Sequence, residues 1–98
     1  MNVIIDQRTG YWWAAQLELE VGYWWRILWE PTSQHLTAYY RGRWEVGGFY
    51  HKGHTPKDLW PLMRETQHEG RRRALVANAP VPPVLEERLP DALWRAEG

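Results

Sequence analysis

From residue 11 to residue 21 the odd positions are Tyr11, Trp13, Ala15, Leu17, Leu19 and Val21, and the even positions are Trp12, Ala14, Gln16, Glu18 and Glu20. Period-2 alternation of this kind predicts a half-buried strand over 11–21, because successive strand side chains point to opposite faces. The alternation recurs over 23–30, where Tyr23, Trp25, Ile27 and Trp29 oppose Trp24, Arg26, Leu28 and Glu30. Residues 31–34 break it. Two further alternating runs predict strands over 35–41 and 43–50, and residues 3–6 predict a short opening strand joined by a turn at 7–10. The motif Gly-Tyr-Trp-Trp occurs at 10–13 and again at 22–25, a spacing that fits one duplicated hairpin element but is too short a series for a repeat architecture.

The text changes character after Gly53. Thr55, Pro56 and Asp58 form a helix start, with a hydroxyl cap, proline at the first helical position and an acid at the third. Pro61 falls too late to be harmless, so the expectation is a turn over 56–60 and a helix over 61–69 that ends near Gly70. Residues 71–78 are read as a second helix, with an edge strand as the alternative. Pro80, Pro82 and Pro83 exclude regular structure, so 80–98 reads as an extended Pro-rich tail, wrapped on the domain or partly disordered. The fold class is therefore α+β. Residues 1–79 form one domain, an antiparallel four- or five-stranded meander packed against one main helix over about 56–69.

Composition narrows the chemistry. Ninety-eight residues suffice for one domain, and twelve Lys plus Arg against twelve Asp plus Glu leave no whole-protein field to hold a duplex or an anionic membrane. The absence of Cys removes disulfides, thiolate nucleophiles and cysteine-based zinc sites. No run of 18 apolar residues and no basic leader occurs, which reads as a soluble, non-secreted, cytoplasmic protein without membrane contact. Of fourteen aromatic residues, thirteen lie between positions 11 and 60. That concentration is the main functional clue.

One helix can cover only one side of a sheet. If Trp25 and its equivalents face the helix, the opposite side presents Trp12, Trp24, Leu28, Tyr39 and Phe49 among Arg26, Arg41, Arg43, Glu18, Glu20 and Glu45, and large rings there need a cover. Trp, Tyr and Arg are enriched at the energetic centres of protein interfaces. The expected function is a non-catalytic protein-binding module: a small inhibitor, accessory or assembly protein, with homodimerisation through the same face as a variant. The alternative is single-stranded nucleic-acid binding, because residues 39–52 interleave rings with basic side chains, and residues 35–57 hold four Lys or Arg against Glu45 alone. The stretch departs from the aromatic signature of the four-stranded RNA-recognition sheet at Glu45 and Val46. If Pro82 or Leu85 packs over Trp12 and Trp24, the tail itself is the cover.

Other chemistry is thin. His51, His54 and Asp58 have metal-compatible types without a second cluster, so no metal or cofactor is expected. Ser33 lies in a turn and not in a strand-to-helix elbow, Glu86 and Glu87 point apart, and Gly47-Gly48 fits a bulge better than a phosphate loop. No enzyme activity is expected. The Arg71-Arg72-Arg73 run reads as a solvated face or a complement to the helix C-terminus.

Overall fold

The computed structural model describes residues 5–44 and 49–93. Its elements run in the order α1 (Gln7–Val21), a 3-10 turn (Gly22–Trp24), β1 (Trp25–Glu30), β2 (His35–Tyr40), β3 (Phe49–Gly53) and α2 (Pro56–Val76). The class is α+β, but the described residues form a sheet of three antiparallel strands in the order β1-β2-β3, with two helices.

The strand expected over 11–21 is α1. Its buried residues Gly10, Trp13, Ala14, Leu17 and Val21 recur at three- and four-residue steps, while Tyr11 and Leu19, which the strand reading placed beside them, are exposed. Trp13, Leu17 and Val21 stand four apart, a spacing that satisfies both the period of 2 and the period of 3.6. The intervening Ala, Gln, Leu and Glu are strong helix formers and settle the conflict. The Asp6 carboxylate caps the helix by accepting from the Arg8 amide at 3.0 Å. The opening strand expected over 3–6 is absent at Ile5 and Asp6, and positions 3 and 4 lie outside the described residues. The two Gly-Tyr-Trp-Trp motifs take different conformations, the first inside α1 and the second in the 3-10 turn entering β1, so they are not copies of one hairpin element.

β1 and β2 pair from Trp25↔Tyr40 to Glu30↔His35, and β2 and β3 from Leu36↔Gly53 to Tyr40↔Phe49. The strand expected over 43–50 is displaced: Arg43 and Trp44 are outside the sheet, 45–48 lie outside the described residues, and β3 continues to Gly53. Trp25, Ile27, Trp29, Leu36, Ala38 and Tyr40 form the inner face, and both helices pack there through Trp13, Leu17 and Val21 on one side and Leu59 and Met63 on the other.

α2 is a single helix of 21 residues. It begins with the expected Thr55 cap, and Asp58 completes a reciprocal capping box, but it runs unbroken through Pro61 and Gly70. Gly70 ends nothing: a Cβ there would lie 2.1 Å from the Tyr40 hydroxyl, so glycine lets β2 and α2 approach. The stop is Asn78, whose φ of 55° takes the left-handed conformation that asparagine tolerates, followed by Pro80. Residues 79–90 then run back along α2. The Trp60 indole donates to the Glu86 carbonyl at 2.9 Å, the Gln67 amide to the Pro83 carbonyl at 2.7 Å and Arg71 to the Pro82 carbonyl. Pro82, Leu89 and Leu93 are buried.

Gly10 marks the tightest contact between α1 and the sheet, since an added Cβ would lie 2.2 Å from the Trp29 indole. In an open helix Gly→Ala stabilises by about 1 kcal/mol. Here overpacking against a buried ring costs about 1–3 kcal/mol and reverses the sign. Gly10→Ala should therefore lower the denaturant midpoint with an unchanged m-value; a raised midpoint would mean that Trp29 repacks freely.

Candidate functional site

Because both helices pack on the inner face, the other side of the sheet is left to whichever residues share the opposite parity. The pairing places Arg26, Tyr39 and Tyr50 in one cross-strand row, Leu28, Thr37 and Lys52 in the next, and Glu30 beside His35 at the end. The Arg41 amide donates to the Trp24 carbonyl at 2.8 Å and extends the same parity by one pair. Tyr39 and Tyr50 are 41% and 56% exposed, with ring centroids 5.8 Å apart. The Lys52 ammonium lies 5.9 Å from the Tyr50 ring centre, and the Arg41 guanidinium lies 4.5 Å from that of Tyr23. Three cations (Arg26, Arg41 and Lys52) therefore stand against one carboxylate (Glu30) on the strand positions of this face. Thr37 at its centre is only 2% exposed, so the surrounding longer side chains close over the backbone.

Of the residues expected to line this face, Arg26, Leu28, Tyr39 and Arg41 share it, and Trp24 sits at its margin, half-buried against the core. Trp12 does not; it projects from α1, exposed to solvent. Phe49 is on the inner face, opposite Tyr40 in the register, with its ring 5.0 Å from Trp44 and 4.9 Å from His51. Arg43 follows β2 and, with Trp44, Arg73 and Val76, lines a cleft of about 150 Å³ at the end of α2. Tyr50 and Lys52 were missed because the parity was carried across residues 41–48; restarted at Phe49, the alternation Phe49, His51, Gly53 against Tyr50, Lys52 gives the observed faces.

The two edges of the sheet differ. The Glu18 carboxylate of α1 accepts from the Ile27 amide at 2.8 Å, and the Trp25 amide donates to the Gly22 carbonyl, so β1 is partly covered. Hydrogen-bonded pairs alternate along each antiparallel ladder, and the Trp24–Arg41 bond fixes the phase. Leu36, Ala38 and Tyr40 therefore bond to β3, and the backbone groups of Tyr50 and Lys52 point outward. Among the described residues nothing pairs with that edge.

His51 and His54 diverge. His51 Nε2 lies 2.6 Å from the Thr66 hydroxyl on α2, whereas His54 Nδ1 lies 2.8 Å from the Gln34 carbonyl. Among the described residues no three His, Cys, Asp or Glu side chains are placed to hold a metal ion. The Arg71–Arg73 run also divides, Arg71 reaching the tail while Arg72 and Arg73 approach Glu69 at 3.0 and 3.4 Å. Ser33 lies in the exposed turn between β1 and β2, and Glu86 and Glu87 are exposed. No described helix is long and apolar enough to cross a membrane.

Comparison with protein-family models, curated proteins and solved structures finds no match to this chain. The fold and surface define a two-layer α+β domain with an aromatic and basic outer sheet face.

Burial lowers the His51 pKa below its ordinary value of 6.5, against a smaller upward pull from the Glu65 carboxylate. The unfolded chain therefore binds a proton at higher pH than the folded one does. The stability held by neutral His51 is complete above the unfolded value and is lost as the pH falls below it toward the folded value. Denaturant midpoints should drop as the pH falls below about 6.5, and His51→Gln should flatten that slope; equal slopes would place the acid sensitivity at another group.

Proposed function

We propose that this chain is a non-catalytic protein-binding module that docks a partner on the outer face of its sheet and along the open edge of β3. The supporting observation is that both helices and the described part of the tail lie on one side of the sheet, leaving Tyr39 and Tyr50 exposed among three cations and one carboxylate. Tyr and Arg anchors offer large contact area at small entropic cost, with a polar group to fix orientation. The excess of positive charge on this face selects a partner surface rich in carboxylates. The outward amides and carbonyls of Tyr50 and Lys52 can extend the ladder with a strand from that partner. Lys52 guards the same edge against uncharged strands, as lysine does on many edge strands.

Nucleic acid is the second reading, supported by the proximity of Tyr39 and Tyr50 to Lys52 and Arg26. It is the weaker one, because a stacking platform presents open ring faces, whereas Lys52 lies over Tyr50 and Arg41 lies over Tyr23.

The test is capture of partners from a lysate of the source organism by wild type and by Tyr39→Ser/Tyr50→Ser, with and without nuclease. An acidic protein retained after nuclease and bound at least tenfold more weakly by the double variant, at unchanged circular dichroism, is the expected result. A tenfold loss corresponds to about 1.4 kcal/mol, ordinary for an interface anchor. Retention of that protein by the double variant would remove the outer face as the docking surface. Saturable binding of unstructured oligonucleotides that collapses with salt would establish the nucleic-acid reading instead.

A further inference from the structure

The arginines of α2 are not treated alike. Arg72 and Arg73 both approach the Glu69 carboxylate. Among the described residues Arg64 has no carboxylate partner, and its Nε is buried with no acceptor. Arg71 bonds to the Pro82 carbonyl and to no acid. Both side chains are partly exposed, and a guanidinium nitrogen buried from water normally has an acceptor, which Arg64 Nε lacks.

Arg64 and Arg71 open into one cleft of about 380 Å³ between α2 and the tail, with His68 between them. Positions 64, 68 and 71 are separated by four and three residues and so share one stripe of the helix. Val84 and Leu85 form the opposite wall and Pro61 closes one end. The tail is held across α2 by the bonds from Trp60, Gln67 and Arg71, so the cleft exists before any ligand enters. Glu65 also borders it but forms no ion pair with either arginine, leaving an excess of positive charge.

We infer that this cleft is a binding site for a small organic phosphate. Two arginines and an imidazole, spread over roughly 10 Å of helix at about 1.5 Å per residue, approach an anion from several directions. A phosphate group presents three oxygens to such an arrangement, whereas one carboxylate has two coplanar oxygens that a single guanidinium already saturates. The volume lies in the range of small-molecule sites, and Pro61, Val84 and Leu85 face the carbon portion of the ligand. The site is independent of the outer sheet face.

Calorimetric titration of the full chain with phenyl phosphate, inorganic phosphate and benzoate tests this assignment. Phenyl phosphate should bind in a 1:1 ratio, at least tenfold more tightly than either of the other two, because only it meets both the cationic stripe and the apolar wall. Arg64→Gln should weaken phenyl phosphate at least fivefold and Arg64→Lys less so, with the fold retained by circular dichroism. Arg72→Gln, beside Glu69, and Lys52→Gln, on the outer sheet face, should leave the affinity unchanged. Absence of saturable phenyl phosphate binding, or binding indifferent to Arg64→Gln, would overturn the inference, and a loss confined to Lys52→Gln would move the anion to the sheet.

Discussion

The Trp25 indole, 1% exposed at the start of β1, carries one N–H that must find an acceptor away from water. Gln67 supplies it at 2.7 Å, and the second half of the same buried amide donates to the Pro83 carbonyl at 2.7 Å. Three parts of the chain far apart in sequence thus meet in one polar relay through the core. Removing the amide would orphan the buried indole N–H, which is costly, and would release the Pro83 carbonyl from α2. The relay fixes how α2 is turned about its axis: Met63 and Gly70 toward the sheet, Arg64, His68 and Arg71 toward the tail.

Two surfaces follow from that placement. With α2 and the tail committed to the inner face and α1 packed beside them, the described residues leave the outer face without a second layer. A three-stranded sheet with one covered face is stable here because large rings and aliphatic side chains from two helices fill the inner side. The tail's return along α2 builds the cleft as a by-product of satisfying Gln67 and Trp60. Neither surface needs the other, although both rest on the same buried relay.

Charge is distributed in the same divided way. The chain is formally neutral, yet its cations are unequally matched. Arg72 and Arg73 share Glu69, and Arg88 lies 3.4 Å from Asp91; exposed pairs such as the first and last contribute little to stability. Among the described residues, Arg26 and Lys52 on the outer face and Arg64 and Arg71 in the cleft have no carboxylate partner. Neutrality of the whole therefore conceals local excesses of positive charge, and a count of residues cannot reveal which cations are matched.

Much of the architecture is written in local patterns. The capping box at Thr55 and Asp58, the turn at 31–34 and the alternations of β1 and β2 are local properties of a few adjacent residues, and each is legible because neighbouring side chains alone decide it. So is the crowding of aromatic rings that makes one face of a small sheet conspicuous. Other features depend on contacts that no window of residues contains. Trp13, Leu17 and Val21 by themselves fit a strand and a helix equally; the helix formers between them favour the helix, and the surface offered by Trp29 and Ile27 decides which side of it is buried. Gly70 looks like a terminator until Tyr40 lies against it. The face taken by Phe49 and Tyr50 cannot be counted through the loop before them, since one residue more or less inverts every side chain. The pairing of Arg72 and Arg73 with Glu69, and the turning of Arg64 and Arg71 into a cleft, belong wholly to the tertiary structure, because a returning tail some twenty residues away supplies the wall.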